Sequence, residues 1–345
     1  MERVLVVLPN WFGETLFATP FLRALRGQRP DAYVATLGWP QCRDVLLHNP
    51  HVNELIDFDE RGRHRNPFEL LRLIRALRAR RFTTTFILRR SLSRALLLTL
   101  AGIRDRIGFE HPKSNWLLTR RVPNPSPVTS LHKAFSYLSL LEERGFVPRY
   151  PYEYMVSEEE RQAARKRLAA QHLLDGKPFV VLHPGANWPH KRWPTDCFAA
   201  LGDRLIATRP VRVVVTGGPH DAHLARAISR AMRQPSVMLA GQTTIRELAA
   251  CFERARLVVS NDTGILHIAA ALRRPVVALY GPTSPTFTGP LGDPSRMVVL
   301  HHPDCCPQIP CYQPTWPPHA GMSSITVDEA YGAACTMLAL KPPAR

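Results

Sequence analysis

The stretch Leu257-Val258-Val259-Ser260-Asn261-Asp262-Thr263-Gly264-Ile265-Leu266-His267 passes from a continuous apolar β-type run directly into an Ala/Leu-rich helical segment. An acid, a hydroxyl and a glycine therefore stand between a strand and a helix. The glycine lets backbone approach a ligand, Thr263 offers a hydroxyl, and the free N–H groups of the first helical turn attract anionic oxygens. These are the groups that a sugar nucleotide needs for its hydroxyls and phosphates. Asn-Asp-Thr-Gly is also an ordinary helix-capping cluster, so the junction has to be weighed with the rest of the chain.

On both sides of this junction, short β-type runs alternate with helical patterns. Strands are predicted at residues 3–8, 33–37, 55–58 and 84–88, with helices at 14–26, 68–80, 91–100 and 131–143. Around Val147-Pro148-Arg149-Tyr150-Pro151 the alternation breaks, and Ser157-Glu158-Glu159-Glu160 opens a helix with acids in its first turn. A second set follows, with strands at 179–182, 211–216, 237–239, 257–260 and 276–280 and helices at 195–206, 220–232, 245–254 and 265–272. Such alternation implies parallel, doubly wound sheets. The expected organisation is α/β with two Rossmann-like domains facing across a cleft, residues 1–150 and 151–325, and a last helix in 326–345 that could cross back to the first domain. Ligand-binding residues are expected in the loops that follow strands.

The 345 residues are 45% hydrophobic, which excludes a disordered chain, and carry a formal net charge of +17. The first residues enter a strand too early for a signal peptide, and no apolar run approaches membrane-spanning length, so a cytoplasmic protein is expected. Arginines crowd the N-terminal half, at 61–65, 72–81, 89–90 and 104–121. They suit an anionic partner, with phosphorylated lipid headgroups one candidate. Aromatic-interleaved basic motifs are missing, so nucleic acid is not the expected partner. Seven cysteines without a secretion signal argue for reduced thiols. Cys305, Cys306 and Cys311, near His301, His302 and His319, lack the paired C-x-x-C spacing of a zinc site, and no metal is expected.

Several loops carry reactive side chains. After the first strand comes Pro9-Asn10-Trp11-Phe12-Gly13-Glu14, where Glu14 stands at a helix start and is a candidate general base. No G-x-G-x-x-G occurs there, which disfavours a dinucleotide dehydrogenase. Asp57-Phe58-Asp59 has the form of a metal-binding D-x-D but reads as loop chemistry. His183 leads into Pro184-Gly185-Ala186-Asn187-Trp188-Pro189-His190-Lys191-Arg192-Trp193-Pro194, whose Lys191 and Arg192 could neutralise a diphosphate leaving group. Thr216-Gly217-Gly218-Pro219-His220-Asp221 offers Asp221 to a ribose, and Gly281-Pro282-Thr283-Ser284 offers two hydroxyls.

Together the motifs at Asn10–Glu14, Pro184, Lys191, Asn261 and Leu279-Tyr280-Gly281-Pro282-Thr283-Ser284-Pro285 resemble, in order and over nearly the whole chain, the ADP-heptose:lipopolysaccharide heptosyltransferases of glycosyltransferase family 9. The chain looks closer to the type II branch than to type I. The resemblance implies a GT-B fold and inverting transfer of heptose from ADP-L-glycero-D-manno-heptose to the lipopolysaccharide inner core, onto its first heptose. It also implies that the acceptor is held by the N-terminal domain and the donor mainly by the C-terminal one. Glu14, Lys191 and Asp262 would then be catalytic. Lys191 would contact donor phosphate, and Asp262 would hold the donor sugar or orient its loop.

Gly13, Gly185, Asn187, Asp221, Thr263, Gly264, His267 and Thr283 would bind the donor, and Arg61, Arg63, Arg89 and Arg120 the phosphorylated acceptor. No cofactor is implied, and the enzyme would touch the inner face of the inner membrane peripherally. Two departures stand out. Glu14 occupies a position that is usually aspartate in the family, and Cys305 and Cys306 are adjacent rather than spaced, with Gly321 before Met322. Rival readings are a family member with another acceptor, an enzyme of the sugar-nucleotide 2-epimerase type, and a catalytically impaired basic binding protein on the same scaffold.

Overall fold

A computed structural model describes residues 1–123, 131–141, 152–305, 309 and 320–340. The chain divides into two compact units, Met1–Met155 and Val156–Arg345. The boundary read from the sequence, at residue 150, itself lies outside the described residues.

In the first unit the strands are β1 (Arg3–Val7), β2 (Tyr33–Gly38), β3 (Glu54–Asp57), β4 (Thr84–Ile87), β5 (Asp105–Phe109) and β6 (Arg120–Val122). They form one sheet in the order β3-β2-β1-β4-β5-β6, and every pairing is parallel. The helices are α1 (Phe12–Phe17), α2 (Thr19–Gln28), α3 (Arg43–Leu46), α4 (Pro67–Ala79), α5 (Leu92–Leu100) and α6 (Lys133–Leu138). Leu5, Val7, Leu37 and Ile87 from the strands pack with Leu73 and Leu77 of α4 and Ala95, Leu97 and Leu98 of α5 into a single buried cluster. A sheet covered in this way needs the apolar, β-branched strands that the sequence supplies.

The single helix expected over residues 14–26 is two helices. Pro20 has no N–H to give the Leu16 carbonyl, so the ladder fails there. The Thr19 hydroxyl takes that carbonyl instead, at 2.7 Å. Residues 131–143 form α6 and a 3-10 turn at Ser139–Leu141, and residues 142 and 143 lie outside the described part.

The second unit repeats the scheme with β7 (Phe179–His183), β8 (Arg212–Val215), β9 (Ser236–Met238), β10 (Leu257–Asn261), β11 (Val276–Tyr280) and β12 (Met297–His301). The order is β12-β11-β10-β7-β8-β9, again all parallel. Its helices are α7 (Glu158–Ala170), α8 (Thr195–Thr208), α9 (Ala222–Ala231), α10 (Ile245–Phe252), α11 (Gly264–Ala271), α12 (Pro285–Thr288), α13 (Ala320–Ser323) and α14 (Val327–Ala339). β7, β10 and β11 are buried along their whole length.

Capping boxes start α7, α10 and α14, each pairing a hydroxyl with the glutamate three residues on. The final helix belongs to this unit rather than to the first, and packs on α8 and on β10, β11 and β12. Ala330, Ala334 and Met337 on its inner side are buried.

In each sheet the strand order reverses beside the first strand of the unit. The crevice beyond the carboxyl ends of β1 and β4, and that beyond β7 and β10, are the places where open α/β sheets bind ligands. In the first unit this crevice is underpinned by Arg94. Its side chain is fully buried and donates to the Leu8 carbonyl at 2.5 Å and to the Asn10 side-chain oxygen. The Asn10 amide in turn donates to Glu60 at 3.0 Å, and Glu60 lies 3.5 Å from Arg94. Burial pulls the Arg94 guanidinium down to about 10, against the opposing pull of Glu60.

Arg94→Leu leaves a buried carbonyl and an amide oxygen without their donor and removes one of the two arginines beside Glu60, and is expected to destabilise the first unit by about 3 kcal/mol. Urea unfolding of the variant, followed by hydrogen exchange of the β1 and β4 amides, checks this. A loss below about 1 kcal/mol, the value of an exposed pair, would contradict it.

Candidate functional site

The second unit builds its site where β7 and β10 end side by side. Ser260 is in register with His183, so the loops that begin at Pro184 and Asp262 leave the sheet at the same level. Asn261 joins them. Its amide donates to the Pro184 carbonyl at 2.8 Å, and its side-chain oxygen accepts the Trp193 N–H at 3.2 Å. Trp193 is itself buried and anchored through its indole N–H to the Ile325 carbonyl at 2.9 Å. The 3-10 turn Pro189–Lys191 is thereby held over the start of α11.

Lys191 uses that position to reach Asp262. Its Nζ lies 2.6 Å from Oδ2, and the same oxygen accepts the Thr283 hydroxyl at 2.7 Å. His267, one turn into α11 and buried, places Nε2 4.0 Å from the other carboxylate oxygen. Burial alone would push the Asp262 carboxyl up. The charge of Lys191, the neighbouring His267 and the hydrogen bonds from Lys191 and Thr283 outweigh it and hold the group below the usual carboxylate range.

Asp262 is thus a buried partner shared by Lys191 and Thr283. Lys191 remains partly exposed, with its ammonium 5.4 Å from the centre of the Trp188 ring. Thr263, the N-cap of α11, makes no capping bond with its side chain. Its buried hydroxyl oxygen has no hydrogen-bond partner among the described residues. Gly264 follows as the first helical residue, so the N–H groups of this turn are available to anionic oxygens.

Other expected donor contacts serve the loops. Gly185 is tight against Asp221: a Cβ there would stand 2.4 Å from its Oδ2, and one on Gly217 would stand 3.0 Å from its Cβ. Asp221 sits 3.7 Å from Arg192, whose guanidinium donates twice to the Ala186 carbonyl, at 3.0 and 2.8 Å. Arg192, read from the sequence as a second diphosphate cation, thus bonds to its own loop. Asn187 is exposed. His183, at the end of β7, is buried and pairs with the Thr216 hydroxyl at 3.0 Å.

In the first unit, Gly13 and Glu14 lie in the first turn of α1. The Glu14 carboxylate pairs with Lys133, the first residue of α6. Nothing in the sequence pointed to Lys133, because it is 119 positions away. Tyr137, one turn further along α6, is buried. Burial, with the charge of Glu14 adding to it, pushes its phenol well up.

The arginines expected to hold the acceptor divide into two pairs. Arg63 is bonded to Glu69 at 2.6 Å, and Arg120 donates to the Leu140 carbonyl at 3.1 Å. The Arg63 pair is on the surface, whereas Arg120 is partly buried. Arg89 is exposed and lies 3.8 Å from Glu60, and Arg61 is exposed with its guanidinium 4.8 Å from the centre of the Trp39 ring. Asp57-Phe58-Asp59 forms a turn in which Asp59 accepts the Gly62 and Arg63 N–H groups at 2.8 and 3.1 Å.

Among the described residues no group of three or more His, Cys, Asp or Glu is placed to hold a metal ion. Cys306, Cys311 and His319 lie outside the described residues.

His183 generates a pH prediction. Burial depresses it from 6.5 to about 4 in the folded protein. The unfolded chain therefore binds the proton at higher pH, and this contribution to stability is complete above about pH 6.5 and is lost as pH falls towards 4. The expected loss is about 3 kcal/mol. Urea unfolding across this range should show the wild type weakening more steeply than His183→Gln, whereas parallel curves would contradict the assignment.

Comparison with known proteins places the chain in a family. Over 312 residues, 86% of this chain and 88% of that protein, the sequence is 30% identical to lipopolysaccharide heptosyltransferase 2 of Escherichia coli K12. It is also 30% identical over 291 residues to lipopolysaccharide heptosyltransferase 3 of the same strain, with 81% of this chain and 83% of that protein covered. The solved structure of the E. coli ADP-heptose heptosyltransferase II superposes with a TM-score of 0.80 at 26% identity, over 98% of each chain. The fold is accordingly the α/β GT-B fold, built from two doubly wound parallel sheets. The model of glycosyltransferase family 9 (heptosyltransferase) matches residues 70–315, and the chain belongs to that family of enzymes.

Proposed function

We propose that the protein transfers heptose from ADP-L-glycero-D-manno-heptose to the inner core of lipopolysaccharide, onto the first heptose, with inversion at the anomeric carbon. The observation that carries this reading is the head of α11. There Lys191, anchored on Asp262, stands with the unpartnered hydroxyl of Thr263 and the first-turn N–H groups. A diphosphate leaving group requires this combination of a fixed cation and oriented N–H donors.

In this mechanism the acceptor hydroxyl gives its proton to Glu14 as its oxygen bonds to the anomeric carbon. The bond from that carbon to the β-phosphate oxygen breaks, and its electron pair leaves with ADP. Lys191 and the α11 N–H groups take up the charge that develops on the diphosphate. Lys133 holds the Glu14 carboxylate in place between turnovers. Asp262 acts through Lys191 and Thr283.

The acceptor is a lipid-anchored, phosphorylated saccharide, and the exposed Arg61 and Arg89 suit its anionic groups. The same reading puts the enzyme at the cytoplasmic face of the inner membrane as a peripheral protein. No described helix is long and apolar enough to cross a membrane. A second reading, heptose transfer to a different acceptor, is favoured by the equal identity to heptosyltransferase 3.

ADP release from ADP-heptose by the purified protein, with and without heptosyl-Kdo-lipid A, tests the proposal. Acceptor-dependent release is expected. Release only with an already extended core would support the second reading, and no release with either acceptor would overturn both. Glu14→Gln is expected to lower kcat by about 10³ with little effect on ADP affinity. Lys191→Met should lower kcat by roughly 10²–10³ and weaken ADP binding as well. An unchanged kcat in Glu14→Gln would remove the base assignment.

A further inference from the structure

Helix α5 of the first unit has two apolar sides. Ala95, Leu97 and Leu98 are buried against the sheet, while Leu92, Leu96 and Leu100, spaced by four, are 42%, 42% and 46% exposed. An amphipathic surface helix shows polar residues at such outward positions. The sequence of α5, Leu-Ser-Arg-Ala-Leu-Leu-Leu-Thr-Leu, has no acid, and its one cation, Arg94, points inward to the Leu8 carbonyl.

The neighbouring elements continue this character. Trp116, in the 3-10 turn Asn115–Leu117 that contacts α5, is 71% exposed. On α4, which covers the same buried cluster, Phe68 is 82% exposed. The same helix exposes Arg72, Arg75 and Arg78, and its single acid, Glu69, pairs with Arg63 and Arg72. Arg78 ties the two helices together by donating to the Leu100 carbonyl at 2.9 Å.

We propose that the outward faces of α4 and α5, with the Trp116 turn, form a docking surface for an anionic phospholipid bilayer. The leucine stripe, Phe68 and Trp116 enter the acyl boundary, and the arginines lie among the headgroups. An amphipathic interfacial surface combines these two elements, and arginine stems reach along apolar surface to place their charges at the interface. Charge complementarity selects the lipid: the exposed charges of α4 are basic apart from the paired Glu69, and α5 offers no acid. A nucleic acid would match the arginines but leave the leucine stripe without a partner. The inference rests on the reading that the acceptor is lipid-anchored, because a surface of this kind brings the enzyme to a substrate held in a membrane.

Sedimentation of the full chain with vesicles of phosphatidylethanolamine and phosphatidylglycerol, and separately with phosphatidylcholine vesicles, tests the proposal. Binding should be stronger on the anionic vesicles and weaken with salt. Leu96→Glu should reduce binding by about tenfold or more, and Arg75→Ala by about fivefold on anionic vesicles only. Circular dichroism and ADP binding report that the variants are folded, and both should retain wild-type turnover of a delipidated heptosyl-Kdo acceptor. Equal binding to the two vesicle types, or wild-type binding by a folded Leu96→Glu, overturns the proposal. So does a concentration-dependent dimer that Leu96→Glu abolishes without changing vesicle binding. Loss of turnover in the wild type on the delipidated acceptor would instead refute the transferase reading, leaving the vesicle result to stand by itself.

Discussion

A carboxylate buried at the head of a helix is tolerable only if cations and donors surround it, and Asp262 imposes that requirement on the second unit. The requirement is met by groups drawn from separate loops. Lys191 comes from the turn after β7, Thr283 from the loop after β11, and His267 from α11 itself. These loops are fixed relative to one another because a single buried charge needs all of them. Asn261 adds a neutral clamp one residue earlier, joining Pro184 and Trp193 to the end of β10. The arrangement leaves two groups over. Lys191 keeps part of its ammonium exposed, and Thr263 keeps a hydroxyl without a partner among the described residues.

The first unit meets the same constraint with the charges reversed. There the buried ion is the cation Arg94, and the groups it gathers are the Leu8 carbonyl, Asn10 and Glu60. The loop so fixed leads into α1 and Glu14. Both sheets thus place a buried ion beneath the loop after their first strand and leave a partly exposed group of opposite sign to that ion above it, Glu14 in one unit and Lys191 in the other. Packing and hydrogen bonds fix the positions of these groups.

Much of this was legible in the sequence, and the limits of that legibility follow from its physics. The apolar runs of β1, β7, β10 and β11 reveal themselves because a strand buried on both faces must be continuously hydrophobic. The edge strand β6 and the charged start of β5 are half-exposed and lack that pattern, whereas the apolar run of β12 is not among the predicted strands. The split between α1 and α2 could be read from Pro20, but hydrophobic periodicity runs through it. Lys191, Asp262, Thr263 and Thr283 stand out in the sequence because they lie in loops after strands, where topology concentrates binding groups. Lys133 and Arg94 were missed because their roles depend on contacts far apart along the chain. Arg120 illustrates the converse: charge composition counts arginines without revealing which already bond within the fold. For Asp221, the glycines on either side read as flexible turn residues, whereas Gly185 and Gly217 make room for its side chain.

The central claim is that the head of α11 and Lys191 form the diphosphate cradle, and a crystal structure with ADP bound tests it most directly. The account predicts the β-phosphate within hydrogen-bond reach of the Lys191 ammonium, the Thr263 hydroxyl and the first-turn N–H groups of α11, with the Asp262 to Thr283 bond retained. ADP bound with its phosphates away from this turn, or Lys191 still paired only with Asp262 in the complex, would contradict it.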